Sequence, residues 1–245
     1  MIIKFIYALA LHLPPFMQVK LRYYFGRKKE RELKSLKKVL SKGDVVIDVG
    51  AHRGIYTHYV QKIVGNSGLV HSIEPQIFYV NYLRSAFRKS RNINIIHAAA
   101  LDRITTTSMF IPVHNGQLAT GGASLKKVSA INNKIVVKTM MIDDLNLVKC
   151  NLIKIDVEGS ELSVIRGALS TLDKYRPILL IELDYGLAGS ELMQTVQILR
   201  NYNYKPYLIH KNRFHALAYS DFGSPEINRK FGYDAKNFFF IHNKN

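Results

Sequence analysis

Cysteine is almost missing from this sequence: Cys150 stands alone among 245 residues. One thiol excludes an intrachain disulfide, a cysteine-rich zinc site and a two-cysteine redox motif. It implies a reducing compartment, so a cytoplasmic location is expected. On the loop before the Asn151 strand, Cys150 reads as a small buried hydrophobe rather than a nucleophile. Repeats and low-complexity tracts are absent as well, and acids are scarce, with 18 Asp and Glu against 35 Lys and Arg for a net charge of +17. Long apolar runs are also lacking. Ile2 to Leu13 is 12 residues and stops at Pro14-Pro15, short of the about 20 that span a bilayer, and no small-residue cleavage site follows. Neither a transmembrane helix nor a signal peptide is expected.

At 47% hydrophobic and 22% charged, the chain can bury one sizeable core. Its most informative segment is LIKIDVEGSELSVIRGA, Leu152 to Ala168. Leu152 to Ile155 reads as a central strand of a parallel sheet. Asp156, Glu158 and Glu161 follow at its carboxyl end, where open α/β sheets place their ligands. A helix over about Ser160 to Leu169 accounts for Glu161 and Glu158 through its dipole, but not for Asp156.

About 100 residues earlier, GDVVIDVGAHRGIYTHYV, Gly43 to Val60, has the form strand, glycine turn, helix. Val45 to Ile47 is the strand, Asp48 ends it, and Gly50 and Gly54 let the backbone turn sharply. The next strand, Leu69 to Ile73, finishes on Glu74, 20 positions after Gly54. An acid at that offset accepts the hydroxyls of a ribose, so adenosine is the expected ligand class. The nicotinamide fingerprint G-x-G-x-x-G fails. The turn fits D-x-G-x-x-x-G, the acid-led loop of class I methyltransferases that bind S-adenosylmethionine, with His52 where many carry a middle glycine.

Strands and helices continue to alternate: a helix over Phe78 to Ser90, a strand over Ile93 to His97, an irregular or hairpin region from Thr105 to Val137, the Asp156 strand, then a strand over Arg176 to Glu182. A helix over Ser190 to Asn201 and strands at Tyr207 to His210 and Phe238 to Ile241 complete it. The pattern is doubly wound α/β.

The motifs resemble those of the FkbM-type methyltransferases. IDVGAHRGIYT resembles the first motif of that family and LIKIDVEGSELSVIRGA its later hallmark, with SIEP at Ser72 to Pro75, GGASL at Gly121 to Leu125 and VKTMMIDDL at Val137 to Leu145 between them in matching order. The resemblance covers roughly Leu40 to Leu183. It implies a mostly parallel Rossmann-like sheet of about seven strands with an antiparallel C-terminal edge hairpin; the change in composition near residue 40 divides the chain into that domain, residues 41–245, and an N-terminal helical extension, residues 1–40. It also implies S-adenosylmethionine as cofactor and a sugar, glycolipid or secondary metabolite as acceptor.

Methyl transfer needs donor and acceptor held in line and, for a hydroxyl, a base. Asp48 is expected to fix the turn or reach the cofactor's methionine end. Gly50, Ala51 and Gly54 give backbone approach, Thr57 caps the helix or donates a hydrogen bond, and Glu74 takes the ribose. Asp156, beside Glu158, is the first choice for orienting or deprotonating the acceptor, and Asp156 also counts among the cofactor-binding residues. Lys154 shares its face and pairs with it, which makes Asp156 a better clamp than base. His97 is the rival base, and Glu182 lines the acceptor side. His52, Arg53 and Arg166 read as solvated. No metal is expected, because Asp143-Asp144 reads as a turn cap and Asp156 with Glu182 is too small a set for a hard cation.

Residues 1 to 40 carry ten Lys or Arg against two Glu. An apolar stretch before a basic amphipathic helix suits either an anchor on the inner, anionic face of the membrane or an extension folded on the core with a solvated basic face. A lipid-linked glycan acceptor would suit the first. Two other functions compete. A nucleic-acid methyltransferase fits the charge, but Asp156-Val157-Glu158-Gly159 stands where base methyltransferases carry Asn/Asp-Pro-Pro-aromatic, and Cys150 lies before the strand. A non-catalytic binding module is opposed by the intact acids at 48, 74 and 156. The oligomeric state is not legible.

Overall fold

The buried apolar runs form strands as their composition dictates. The computed structural model describes residues 13–26, 31–114, 117–118, 122–126, 132–222, 226–231 and 235–244. Five parallel strands make the larger part of one sheet: β1 (Val45–Val49), β2 (Leu69–Glu74), β3 (Ile93–His97), β8 (Leu152–Ile155) and β9 (Ile178–Glu182). The order is β3, β2, β1, β8, β9, continuing into β12 (Asn237–His242), β10 (Tyr204–His210) and β11 (Arg213–Ala216). The last three run antiparallel to their neighbours. The chain builds outward from β1 in one direction and from β8 in the other. The carboxyl ends of β1 and β8 are therefore the topological switch point, where such sheets open a crevice for ligands.

Eight strands stand in this sheet where the resemblance implied about seven. The addition is β11, reached through Lys211 and Asn212 at φ +47° and +60°. Two consecutive left-handed residues make the turn whose twist matches a hairpin. The sequence carries no glycine there to announce it.

Each face of the sheet has its own core. Ile47, Ile153, Leu179, Phe238 and Phe240 face α5 (Glu161–Arg166), α6 (Leu169–Tyr175) and α7 (Tyr185–Asn201), meeting Val164, Leu172 and Leu199. Val46, Val70, Leu152, Leu180 and Phe239 face the other way, toward α2 (Arg31–Val39) and α3 (Ile55–Val64). Phe238, Phe239 and Phe240 divide between the two sides because strand side chains alternate.

On α2, Leu33 and Leu36 are buried, as is Leu40 just past its end, while Lys34, Lys37 and Lys38 are exposed. α1 (Pro15–Gly26) lies against α3 and α4 (Ile77–Ala86), with Val19 buried beside Ala51, Leu83 and Phe87. The basic extension thus packs on the sheet's helices through 13–26 and 31–40; the apolar stretch before it, residues 1–12, lies outside the described residues. Among the described residues no helix is long and apolar enough to cross a membrane.

Three helices differ from the sequence pattern. α4 stops at Ala86 instead of Ser90, and α7 begins at Tyr185, five residues early. The helix expected over Ser160 to Leu169 is two, α5 and α6, broken at Gly167, where an added Cβ would lie 1.9 Å from the Leu101 carbonyl oxygen. The region after β3 is a second sheet of β4 (Ala99–Ala100), β5 (Thr106–His114), β6 (Gln117–Leu118) and β7 (Asn132–Met140), a β5–β7 hairpin tied to the main sheet through β4.

Candidate active site

The turn after β1 is pressed between its neighbours. Gly50 sits at φ +76°, and a Cβ there would lie 1.9 Å from the Asp156 carbonyl oxygen, so only glycine lets the ends of β1 and β8 come together. The Gly50 and Ala51 amides donate to the Ile73 carbonyl at 3.0 and 3.1 Å. Next comes His52 at φ +47°, whose amide donates to Glu74 Oε2 at 2.8 Å. The Gln76 amide donates to Oε1 at 2.9 Å. Two backbone donors thus aim the Glu74 carboxylate, which is only 2% exposed. Burial pushes Glu74 up to about 7, against the pull of those amides.

Glu74 stands on one wall of a cleft at the switch point, shared with Gly50, His52, Gln76, Asp156 and Glu158. Behind the opposite end lies Lys154, 5% exposed. Its ammonium reaches Asp156 Oδ2 at 3.1 Å, the Gly50 carbonyl at 3.3 Å and Asp48 Oδ1 at 3.6 Å. Burial works against its charge, but Asp156 and Asp48 outweigh that and hold Lys154 above the ordinary lysine value. Asp156 keeps a third of its side chain exposed and faces the cleft.

Glu158 follows at φ +52°, left-handed without being glycine, and Gly159 at +97° completes the turn. Backbone of this kind in a non-glycine residue is strained and persists where its surroundings hold it. Two neighbours do so here: Ser124 Oγ donates to the Glu158 carbonyl at 2.6 Å, and the Gly159 amide donates to Glu161 Oε1 at 2.9 Å. Burial, then repulsion from Asp156, Glu161 and Asp184, pushes Glu158 up to about 7. The two acids of one turn are unlike: Asp156 is tied to a buried cation, and Glu158 is crowded by anions.

The second sheet roofs the cleft. Ala98, Ala99 and Ala100 form its hinge with the main sheet, while Met109, Ala123 and Leu125 supply an apolar ceiling. Ser124, in the GGASL segment, therefore joins the roof to the acid turn. The sequence presents that segment only as a motif, with no signal for the contact.

Several expected residues stand elsewhere. Asp48, 1% exposed, lies beneath the cleft: Oδ2 accepts from Thr57 Oγ1 at 2.6 Å, and Oδ1 has no hydrogen-bond partner, its lysine being just beyond reach. Thr57 is thus Asp48's support, shared with Ser72 Oγ at 2.9 Å, and it makes no side-chain cap to α3. Ala51 and Gly54 shape the turn from behind. An added Cβ at Gly54 would meet Leu83 at 2.7 Å, so that glycine serves the α3–α4 contact. His97 is exposed and outside the cleft, with Nε2–H donating to the Pro75 carbonyl at 3.0 Å. Glu182 does line the cleft.

His52 differs from the solvated residue its position suggested. Its ring packs edge-on to Tyr79 at 4.2 Å, Nε2 is buried without a partner, and burial, then Arg53, pulls it down to about 4. Cys150 is buried in the core, with its thiol pushed up to about 12 by burial. Asp143 caps α6, accepting from the Ser170 and Thr171 amides and Thr171 Oγ1. Among the described residues no group of three His, Cys, Asp or Glu is placed to hold a metal ion.

This set fits an adenosyl cofactor. Each Glu74 oxygen takes one amide and has a further lone pair for a ribose hydroxyl. Gly50 lines the cleft with backbone alone, so a ligand can approach the chain closely there.

A family model described as the methyltransferase FkbM domain matches residues 48–206. The FkbM methyltransferase of Methylobacillus flagellatus KT is similar in structure, with a TM-score of 0.55 at 20% identity over 82% of this chain and 44% of that one. This chain therefore spans less than half the length of that protein. A putative rRNA-methylase from Clostridium thermocellum matches with a TM-score of 0.50 at 10% identity, covering 85% of this chain and 90% of that one. No curated protein matches. The structural likenesses carry the fold, and the family model, which takes in the end of β1, Glu74 and the whole acid turn, carries the family: the chain belongs to the FkbM family of S-adenosylmethionine-dependent methyltransferases.

Proposed function

We propose that the chain methylates a hydroxyl of a sugar, glycolipid or other small metabolite, with Glu158 as the base and Asp156 as the orienting acid. When bound, the cofactor supplies a methyl group already activated on a sulfonium. The chain's own residues then have three tasks. Glu74 and the Gly50 turn hold the adenosine end, and the roof of Met109, Ala123 and Leu125 keeps water from the reacting groups. The third task is taking the acceptor proton.

The observation that carries this reading is the unequal environment of the two acids. A base works best with its pKa near the operating pH. Glu158 is raised to about 7, whereas Asp156 has Lys154 at 3.1 Å and serves better as a hydrogen-bond acceptor that aims the hydroxyl. This exchanges the order of the two acids expected from sequence, because the crowding of Glu158 by Glu161 and Asp184 depends on the turn's shape. His97 is left out, since it stands outside the cleft.

The test is methyl transfer from labelled S-adenosylmethionine to a panel of sugars, glycolipids and polyols by wild type and Glu158→Gln. The expected result is transfer whose kcat/KM rises through pH 7, lost in the variant with cofactor affinity unchanged. Full transfer by Glu158→Gln, or methylation of RNA in place of every hydroxyl acceptor offered, overturns the reading.

A further inference from the structure

A second hollow, of about 390 Å³, opens away from the cleft between α1, α3 and the end of α4. Phe16, Val19, Ala86 and Phe87 give it apolar walls. Lys20, Arg88 and Lys89 line it too, all exposed, and no acid does so among the described residues. His58, its Nε2 buried and without a hydrogen-bond partner, lines it together with the uncharged Gln61, Ser85 and Ser90.

The hollow continues onto the outward face of α1. Phe16, Met17, Lys20 and Tyr24 lie there at spacings that share one side of a helix, and the three apolar or aromatic residues among them are 38–55% exposed. Lys20 Nζ stands 5.6 Å from the centre of the Phe16 ring. The inner side of the same helix is different: Val19 is buried against Ala51 of the cofactor turn. The sequence that leads into this face, Met1 to His12, has Lys4 as its one formal charge and no acid.

Exposed Phe and Met beside three cations need an occupant that is both apolar and anionic. A duplex nucleic acid offers phosphates but keeps its bases stacked on one another, with no medium for Met17 and Phe16. A bilayer of acidic lipid offers both, and apolar burial and charge attraction then act together. We propose that this face docks the protein on an anionic phospholipid bilayer, with Phe16 and Met17 entering the headgroup boundary and Lys20, Arg88 and Lys89 receiving lipid phosphate. The docking surface stands one helix thickness from the cofactor turn, through the Val19–Ala51 contact. It does not depend on the methyltransferase reading.

The experiment is co-sedimentation of the full chain with vesicles of phosphatidylcholine alone and of phosphatidylcholine mixed with phosphatidylglycerol. Wild type sediments with the mixed vesicles only. Lys20→Ala/Arg88→Ala/Lys89→Ala lowers the partition coefficient on the order of 100-fold, since each surface cation near acidic lipid adds a separate attraction. Phe16→Ser/Met17→Ser lowers it on the order of 10-fold or more. All five positions are exposed, and unchanged thermal melting and cofactor titration establish that the variants are folded. Failure of wild type to bind, undiminished binding by both variants, or release of the protein from vesicles by duplex DNA or inorganic phosphate at matched phosphate concentration overturns the proposal.

Discussion

Replacing Lys154 by methionine removes the one ammonium that serves both Asp48 and Asp156. At an effective dielectric of about 20, ion pairs at 3.6 and 3.1 Å each carry an attraction of about 5 kcal/mol before desolvation is subtracted. What the protein loses is governed less by that attraction than by the charge left behind. Asp48, 1% exposed, keeps the Thr57 hydroxyl and no cation. Stranding a buried charge costs about 3–5 kcal/mol, a large part of the about 5–15 that holds a domain folded. Asp156 is a third exposed and is compensated by water.

The longer contact is therefore the stronger coupling. Double-mutant cycles should give Lys154 and Asp48 an interaction at least about 1 kcal/mol larger than Lys154 and Asp156. Urea unfolding followed by circular dichroism is the assay, since the chain has no tryptophan to report by fluorescence. Lys154→Met/Asp48→Asn should regain most of the loss. A cost below about 1 kcal/mol for Lys154→Met, or the larger coupling at Asp156, refutes the reasoning.

Glu74→Ala should weaken S-adenosylmethionine binding by about 2–3 kcal/mol in calorimetric titration, the worth of hydrogen bonds to a charged acceptor; unchanged affinity removes Glu74 from the ribose site. Gly50→Ala should destabilise by at least about 2 kcal/mol in urea, because the new methyl meets the Asp156 carbonyl on a left-handed backbone. Glu158→Gln should stabilise the protein by about 1 kcal/mol above pH 7, after allowance for partial exposure. The sign follows from an acid raised from 4.5 to about 7 in the fold: its ionisation opposes folding, with no effect below about pH 4.5 and a full one above 7. Melting temperatures from pH 4 to 8 check it, and a variant less stable at pH 8 contradicts the repulsion.

The parts of the fold that could be read ahead were those where one local pattern decides. Leu152 to Ile155 and Val45 to Val49 are buried on both faces, so their apolar runs mark central strands and their acids mark the ends. β11 escaped because Lys211 and Asn212 adopt a turn that sequence associates with glycine. The break at Gly167 lies where the chain passes against Leu101, 66 residues away, a contact with no local signal. The same distinction runs through the site. The acids at 74, 156 and 158 stood out by spacing, whereas the bond from Thr57 to Asp48, the burial of His52 and the grip of Ser124 on Glu158 arise from packing between distant segments. Ala51 and Gly54 show the converse: their motif is local, but what they touch is α1 and α4.

The roof over the cleft enters and leaves the chain beside itself, since β4 and the end of β7 pair at Ala99–Thr139 and Ala100–Met140. Between those two points the described residues form a hairpin and a small core of Met109, Ile111, Ala123 and Val137. The parallel sheet and the cofactor turn do not run through it. The segment is in effect a cassette: exchanging residues 101–138 for another hairpin of matched ends would re-shape the acceptor chamber while leaving the donor half of the enzyme standing. Selectivity and cofactor affinity would then be open to separate engineering, with the Ser124–Glu158 bond, the Lys126–Glu191 ion pair and the close approach of Leu101 to Gly167 among the contacts that a replacement has to reproduce.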